Sequence, residues 1–187
     1  MNAPASITIS PVRVADLLAE GERMPVYVYV IEHPDARLLV DTGMTELHPA
    51  VADLDPRLRP LSKQDLDLAG IDIVVNTHLH FDHCGGNHLF AGRPIYVQRR
   101  ELDDARSEDD YTIREWVEAP GVRYVPIDGE LDLLTGSGSS PRRATHAACR
   151  WRCRDWWAPD GCRRRCAQRR DPDANAADLC AELRPGT

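Results

Sequence analysis

The sequence predicts an α/β domain over residues 1–135, followed by a segment, residues 136–187, with the composition of a disordered tail. Short apolar, β-branched runs recur in the first segment and end at turn-forming residues, which is typical of buried strands. Polar, helix-forming stretches separate several of these runs. The second segment contains no Val, Ile, Phe, Tyr or Met and only two Leu, so it cannot bury enough apolar surface to offset the entropy of ordering.

Strands are predicted where β-branched and aromatic residues alternate or cluster and then meet Gly, Pro, Asn or Asp. In chain order they are PVYVYVIEHP (25–34), RLLVDTG (37–43), IDIVVNTH (71–78), PIYVQ (94–98) and VRYVPI (122–127). Helices are predicted at SKQDLDLAG (62–70), with Ser62 as its N-cap and a Gly at its end, at RRELDDAR (99–106), and at TIREWVEAP (112–120), which Pro120 stops.

Charge is divided unevenly along the chain. Residues 136–187 hold 11 Arg against 6 acidic residues, which leaves 12 basic and 24 acidic residues in 1–135. Phosphate binding depends on clustered Lys and Arg, so the acidic domain disfavours a nucleic-acid partner. The chain starts without a basic leader, and no apolar run reaches membrane-spanning length. We therefore expect a cytoplasmic protein that has no membrane partner.

The segment NTHLHFDHCGGN (76–87) concentrates metal-binding side chains. It holds His78, His80, Asp82 and His83 after an apolar run and before two glycines that let the backbone turn tightly. Neutral imidazole nitrogens and carboxylate oxygens are ligands that zinc prefers. Alternate residues of an extended segment point the same way, so His78 and His80 are predicted to hold one ion, while Asp82 and His83 reach a second. The alternative is an exposed polar loop with histidines by chance.

THLHFDH resembles the HxHxDH signature of the metallo-β-lactamase superfamily, and Asp41 in LLVDTG matches an earlier motif of that superfamily. LVDTGM, HLHFDHCGGN and PIYVQRRELDDA are together similar to the N-acyl-homoserine-lactone lactonases, its quorum-quenching branch, across about residues 24–135. The resemblance implies the N-terminal half of an αββα sandwich with a two-zinc centre. In that centre Asp41 would structurally support residues 76–87, which we call the metal loop.

By this resemblance the chain is a metal-dependent hydrolase that opens the lactone ring of N-acyl homoserine lactones by attack of a metal-bound hydroxide. Asp82 would be a metal ligand that also passes a proton to the departing alkoxide. Phe81 would line the acyl-chain pocket, with packing in the core as its alternative role. Iron, manganese or cobalt would suit the same His and carboxylate ligands as zinc.

The resemblance covers only the first half of the family's fold. That family completes its centre with a His in a Thr-Pro-Gly-His segment, a bridging Asp and a last His, and none of these stands after Leu134. Read one base earlier, the codons of GSGSSPRRATH (136–146) permit Gly-Leu-Arg-Leu-Leu-Pro-Thr-Pro-Gly-His-Thr. We therefore predict that the coding sequence changes frame between about Leu134 and Gly136, and that the tail is an out-of-frame translation.

Three other readings remain open. The domain could be a thioester hydrolase similar to glyoxalase II, or a remnant that keeps part of the site without turning over, which we favour for the chain as written. It could also be a binding protein whose basic tail holds structural zinc through Cys149-x3-Cys153 and Cys162-x3-Cys166. His33, His48 and His88 are candidates for substitute ligands, although an ordinary surface role is the simpler reading of each.

Overall fold

The computed structural model describes residues 7–131 and 133–134, and in this part of the chain the strands form one seven-stranded sheet. The strands are β1 (Thr8–Ala19), β2 (Glu22–His33), β3 (Ala36–Val40), β4 (Arg57–Leu58), β5 (Ile73–Val75), β6 (Pro94–Gln98) and β7 (Arg123–Ile127). They all lie in the first of two compact units, which ends at Ile127. The second unit begins at Asp128 and is described only at its start.

The sheet has the order β4-β1-β2-β3-β5-β6-β7. Its first part is antiparallel, because β1 pairs with β2 and β4, and β2 pairs with β3. Its second part is parallel, through β3-β5, β5-β6 and β6-β7. Glu20 and Gly21 join β1 to β2 with φ values of 51° and 82°. Two successive positive φ values suit the tight hairpins whose twist matches that of the flanking strands.

Three short helices follow strands of the parallel part. They are α1 (Phe81–Cys84), α2 (Arg99–Ser107) and α3 (Arg114–Val117), and short 3₁₀ turns occur at Pro49–Leu54, Leu61–Lys63 and Asn87–Phe90. None of the helices in the described residues is long and apolar enough to cross a membrane.

Two clusters of buried apolar side chains hold these elements together. The larger joins β1, β2, β3, β5 and β6 to loop residues such as Met44 and Ile71 and to Trp116 of α3. The smaller joins α2 to β6 and to the segment after β5, through residues such as Leu79, Val97 and Leu102. The segment that carries the histidines is therefore anchored by its own buried side chains, because Leu79 is fully buried.

The predicted α/β fold is confirmed, and so are the five predicted strands and the helix at 99–106. The predicted helix at 62–70 is wrong. Only a 3₁₀ turn forms there, at Leu61–Lys63, and Asp67 then accepts the Gly70 N–H in a local turn (3.1 Å), which competes with helix formation. The helix predicted at 112–120 is limited to the four residues of α3. The predicted tail, residues 136–187, lies outside the described residues.

Candidate metal centre

The candidate site forms where the parallel strands β3 and β5 end side by side. Val40 at the end of β3 pairs with Val75 at the end of β5, and the Asp41 N–H donates to the Val75 carbonyl (2.8 Å). Carboxyl ends of neighbouring parallel strands meet at one edge of a sheet, where ligands commonly bind. This register brings Asp41 next to Thr77, the second residue after β5 in the chain.

Asp41 is the buried centre of a hydrogen-bond array behind the histidines. Its side chain accepts the Thr77 backbone N–H (2.7 Å), the Thr77 hydroxyl (2.8 Å) and the Nδ1–H of His83 (2.8 Å). Asp41 is only 3% exposed and has a φ of 61°, a left-handed conformation that Asp tolerates better than most residues. It therefore connects the end of β3 to both ends of the histidine loop.

These hydrogen bonds decide which nitrogen of each ring can bind a metal. The single hydroxyl hydrogen of Thr77 is donated to Asp41, so the Thr77 oxygen accepts the Nδ1–H of His78 (2.8 Å). His83 also carries its hydrogen on Nδ1, because the Asp41 carboxylate can only accept. In the neutral form of both residues Nε2 is then the nitrogen with a lone pair for a metal ion, as in sites where a carboxylate orients a ligating histidine.

The candidate ligands lie close together. The ring centroids of His78 and His80 are 4.6 Å apart, those of His78 and His83 are 4.0 Å apart, and Asp82 Oδ2 lies 3.5 Å from Nε2 of His83. Within the described residues, however, no three His, Cys, Asp or Glu side chains have the arrangement of a metal-ion site. The donors thus fit a divalent cation in their chemistry and proximity, without forming a closed set of ligands by themselves.

The three histidines differ in protonation. Burial lowers the pKa of His78 well below its usual value, and the neighbouring His83 and His80 lower it further. Burial also lowers the pKa of His80, against the opposing charge of Asp82. Burial acts in the same direction on His83, but the charges of Asp82 and Asp41 and the Asp41 hydrogen bond outweigh it and raise its pKa to about 9. A metal ion would therefore meet two neutral imidazoles and one that must first lose a proton.

A buried polar network that the sequence analysis did not identify holds the loop from behind. The His83 carbonyl accepts the Thr42 N–H (2.8 Å) and the Asn76 side-chain amide (3.3 Å), and the Asn87 amide donates to Asn76 Oδ1 (2.9 Å). Thr42, Asn76 and Asn87 are at most 1% exposed. The sequence signal for these three residues is a polar side chain close to the metal motif or to an apolar strand. Buried polar groups require hydrogen-bond partners, so such residues could have predicted the network.

Gly85 and Gly86 serve a different purpose from the tight turn that the sequence suggested. Their φ values are −62° and −96°, which other residues also adopt. A Cβ atom on Gly86 would lie 2.5 Å from the Thr42 carbonyl oxygen, and one on Gly85 would lie 2.8 Å from the Trp116 ring. The glycines are therefore required by close packing against the segment that follows β3 and against α3.

The other predicted residues occupy several environments. Phe81 is partly buried and packs against the larger apolar cluster. His33 accepts the Asp35 N–H (3.1 Å) at the end of β2. His48 accepts the Ala50 N–H (3.1 Å) and also contacts Glu115 (2.7 Å), while His88 is exposed.

Comparison with known proteins identifies relatives of the first part of the chain. The family model described as the metallo-beta-lactamase superfamily matches residues 21–147. An N-acyl homoserine lactonase of Bacillus sp is 29% identical over 146 residues, covering 69% of this chain and 55% of the relative. The N-acyl homoserine lactonase AiiA of Bacillus thuringiensis subsp. kurstaki is 29% identical over 130 residues, covering 60% of this chain and 51% of the relative. The chain thus spans about half the length of these curated relatives.

Among solved structures, a quorum-quenching N-acyl homoserine lactone lactonase superposes with a TM-score of 0.55 at 26% identity. The superposition covers 72% of this chain and 61% of that structure.

Proposed function

The chain belongs to the metallo-β-lactamase superfamily, and from that premise we propose that its metal-binding residues serve to open the lactone ring of N-acyl homoserine lactones. The main support is the loop after β5. There, His78 and His83 are oriented by hydrogen bonds that leave Nε2 available, and His80 and Asp82 lie beside them. The names of the lactonase relatives supply the substrate class, since the geometry alone defines only a metal-dependent hydrolase.

We propose that His78 and His80 hold one ion and that Asp82 and His83 hold a second, with zinc as the metal. Zinc is the natural occupant of sites built from imidazoles and carboxylates, and iron, manganese and cobalt are the alternatives to test. When bound, such ions lower the pKa of a water molecule towards neutrality and polarise the substrate carbonyl.

The remaining roles belong to side chains of this protein. Asp82 is partly exposed, at 19% of its side-chain surface, so its carboxylate can face both a metal ion and a leaving alkoxide and carry a proton to it. Asp41 is buried and occupied by three hydrogen bonds, which suits a supporting residue. Phe81, at the start of α1, presents a partly buried aromatic ring next to Asp82, and we propose that it contacts the acyl chain.

The test has two stages, of which the first is metal uptake. The purified chain is loaded with Zn²⁺, and bound metal is measured against the variants Asp82→Asn and His80→Ala. His88→Ala is the matched control, because this histidine is exposed and lies just beyond the loop. We expect reduced binding in the first two variants and unchanged binding in the control. A wild-type chain that binds no more Zn²⁺ than the loop variants would contradict the proposed centre.

The second stage measures acid release from N-hexanoyl homoserine lactone and, in parallel, hydrolysis of a model thioester. Because the chain spans about half of its curated relatives, the assay uses both the chain as written and a version whose frame is restored after Leu134. We expect the restored version to open the lactone with zinc and to lose that activity in Asp82→Asn. Preference for the thioester would instead favour a glyoxalase II-like hydrolase.

For the chain as written we propose metal binding with little or no turnover. This rests on the finding that no three donor side chains of the described residues are arranged as a metal-ion site. An ion held by so few protein ligands is bound weakly, since each missing ligand removes binding free energy and geometric constraint. Lactone turnover by the unaltered chain, well above the rate of the metal-free control, would refute the proposal.

A further inference from the structure

We propose that Glu101 is a positioning residue of the metal loop, whose buried carboxylate holds Tyr111 and, through the Tyr111 ring, the ring of His80. This inference rests on the proposed metal centre. Glu101 belongs to the first turn of α2, outside the histidine motif. Its side chain accepts a hydrogen bond from Tyr111 and not from a candidate ligand.

The location of the Glu101 carboxylate is unusual for a helix that is otherwise polar on its outer side. Glu101 is 8% exposed, whereas Asp103 in the middle of the helix and Glu108 just after its end are exposed. It lies beside Leu102 and Ala105, which belong to the smaller apolar cluster. Burial in these surroundings raises the pKa of Glu101. A carboxylate in such a place is unfavourable unless hydrogen bonds compensate for its lost hydration.

The backbone amide of Leu79, the residue between His78 and His80, lowers the pKa of the Glu101 carboxyl against the effect of burial. The Leu79 side chain is fully buried in the apolar cluster that also holds Leu102. The backbone that separates the two histidines is therefore anchored by the Leu79 side chain. The relative position of the two imidazoles follows from this backbone.

The compensating hydrogen bond acts through an aromatic ring. The hydroxyl of Tyr111 donates to Glu101 Oε2, and the Tyr111 ring packs against the His80 ring with centroids 4.6 Å apart and planes inclined by 53°. The ring of Tyr111 thus limits the rotation of His80, while Glu101 limits the movement of Tyr111. One carboxylate in this way restrains a ring of the candidate centre.

A purely structural role would not require a charged group here. Replacing a buried charge with an apolar side chain of similar volume is often neutral or stabilising for the fold. Groups that orient metal ligands from outside, by contrast, commonly change metal affinity about 10–100-fold when they are removed. The position of Glu101 matches the second pattern, because its hydrogen bond leads through Tyr111 to the ring of His80.

The experiment compares four variants of the full chain by Co²⁺ absorption spectroscopy and by competition of Zn²⁺ with a chelator. Glu101→Ala loses the bond to Tyr111, and we expect it to bind metal about 10–100-fold more weakly with an altered Co²⁺ spectrum. Tyr111→Phe keeps the ring and loses the hydroxyl, so a smaller loss is expected. Glu101→Gln can still accept the Tyr111 O–H through its amide oxygen, and we expect it to restore the spectrum and most of the affinity.

Leu102→Ala is the matched control for stability. Leu102 is 3% exposed and packs in the smaller apolar cluster, so its truncation lowers the melting temperature without touching the bond between Glu101 and Tyr111. We expect its Co²⁺ spectrum to remain that of the wild type below the melting transition. If Glu101→Ala and Leu102→Ala change the spectrum and the affinity alike, or if Glu101→Ala changes neither, the positioning role is refuted.

Failure of the proposed function gives a different result. A wild-type chain that shows no Co²⁺ or Zn²⁺ binding would overturn the metal centre and the role of Glu101 together. Wild-type binding with an unaffected Glu101→Ala variant would overturn only the role of Glu101. If the wild-type chain binds metal without opening the lactone, the spectroscopic comparison of the variants still tests the role of Glu101.

Discussion

Replacement of Gly86 by Ala tests how tightly the metal loop packs on the end of β3. The added Cβ would lie 2.5 Å from the Thr42 carbonyl oxygen and 3.1 Å from the Thr42 Cβ. A normal contact between carbon and a carbonyl oxygen is about 3.3–3.6 Å. The loop or the strand end must therefore move by roughly 1 Å, since a backbone oxygen cannot rotate away as the end of a flexible side chain can.

The expected loss of stability follows from two opposing effects. Overpacking of this kind costs about 1–3 kcal/mol. Ala in place of Gly restricts the unfolded chain and returns about 0.4–1 kcal/mol, because a φ of −96° is accessible to Ala. We therefore expect Gly86→Ala to lower the free energy of unfolding by about 1–2 kcal/mol. The shift also stretches the Thr42 N–H bond to the His83 carbonyl (2.8 Å), so metal binding should weaken as well.

Urea denaturation and Zn²⁺ competition measure the two effects. The control is Gly92→Ala, at a position with open space around the added Cβ and a φ of 82°. There the cost is conformational, about 1 kcal/mol, and it arises away from the loop, so metal affinity should not change. A Gly86→Ala variant with wild-type urea midpoint and wild-type metal affinity would show that the close approach to Thr42 does not constrain the loop.

Four further outcomes can be checked separately. Asp41→Asn removes the carboxylate that orients His83 and should weaken Zn²⁺ binding about 10–100-fold in a chelator competition, so unchanged affinity would contradict its supporting role. The pKa of His83 is about 9, so a metal ion must displace a proton from it at pH 7, and metal affinity should rise with pH up to about 9. Calorimetry of metal binding in two buffers of different ionisation enthalpy should reveal about one released proton. Binding heats that do not depend on the buffer would argue against this proton release. Burial raises the pKa of Cys84 to about 12, so this thiol should be alkylated much more slowly at pH 8 in the folded chain than in urea. Mass spectrometry measures the two alkylation rates, and equal rates would disprove the burial. Sequencing of the locus should show a single-base change near the Leu134 codon that restores a longer reading frame, and its absence would rule out the predicted frame change.

The strands that the sequence predicted are those whose hydrophobic pattern agrees with their position in the sheet. β2 alternates regularly in sequence, and β3 and β5 are short apolar runs that lie in the middle of the sheet. β1 was missed although it is twelve residues long. It contains Pro11, and its register shifts between Arg13 and Ala15, so the period of two on which strand prediction depends is interrupted. Tertiary pairing with β2 forms this strand in spite of its irregular pattern.

The chemistry of the candidate site could also be predicted from one short segment of the sequence. Four ligand-type residues within 76–87 predicted a metal loop because their side chains are near one another whatever the rest of the chain does. The partners of that loop could not be predicted from local spacing. The resemblance suggested a supporting role for Asp41 but not its contact with His83, 42 positions away, and Glu101 approaches the loop from a helix that follows another strand.

The sequence by itself thus determined the fold class, the resemblance and the kinds of ligand, because these depend on composition, periodicity and local spacing. Only the tertiary structure decided how the ligands are oriented. The parallel pairing of Val40 with Val75 places Asp41 beside Thr77, and this contact determines that Nε2 of His78 and His83 is the nitrogen available to a metal. The register of two strands cannot be derived from either strand alone, because it depends on how both pack in the complete sheet.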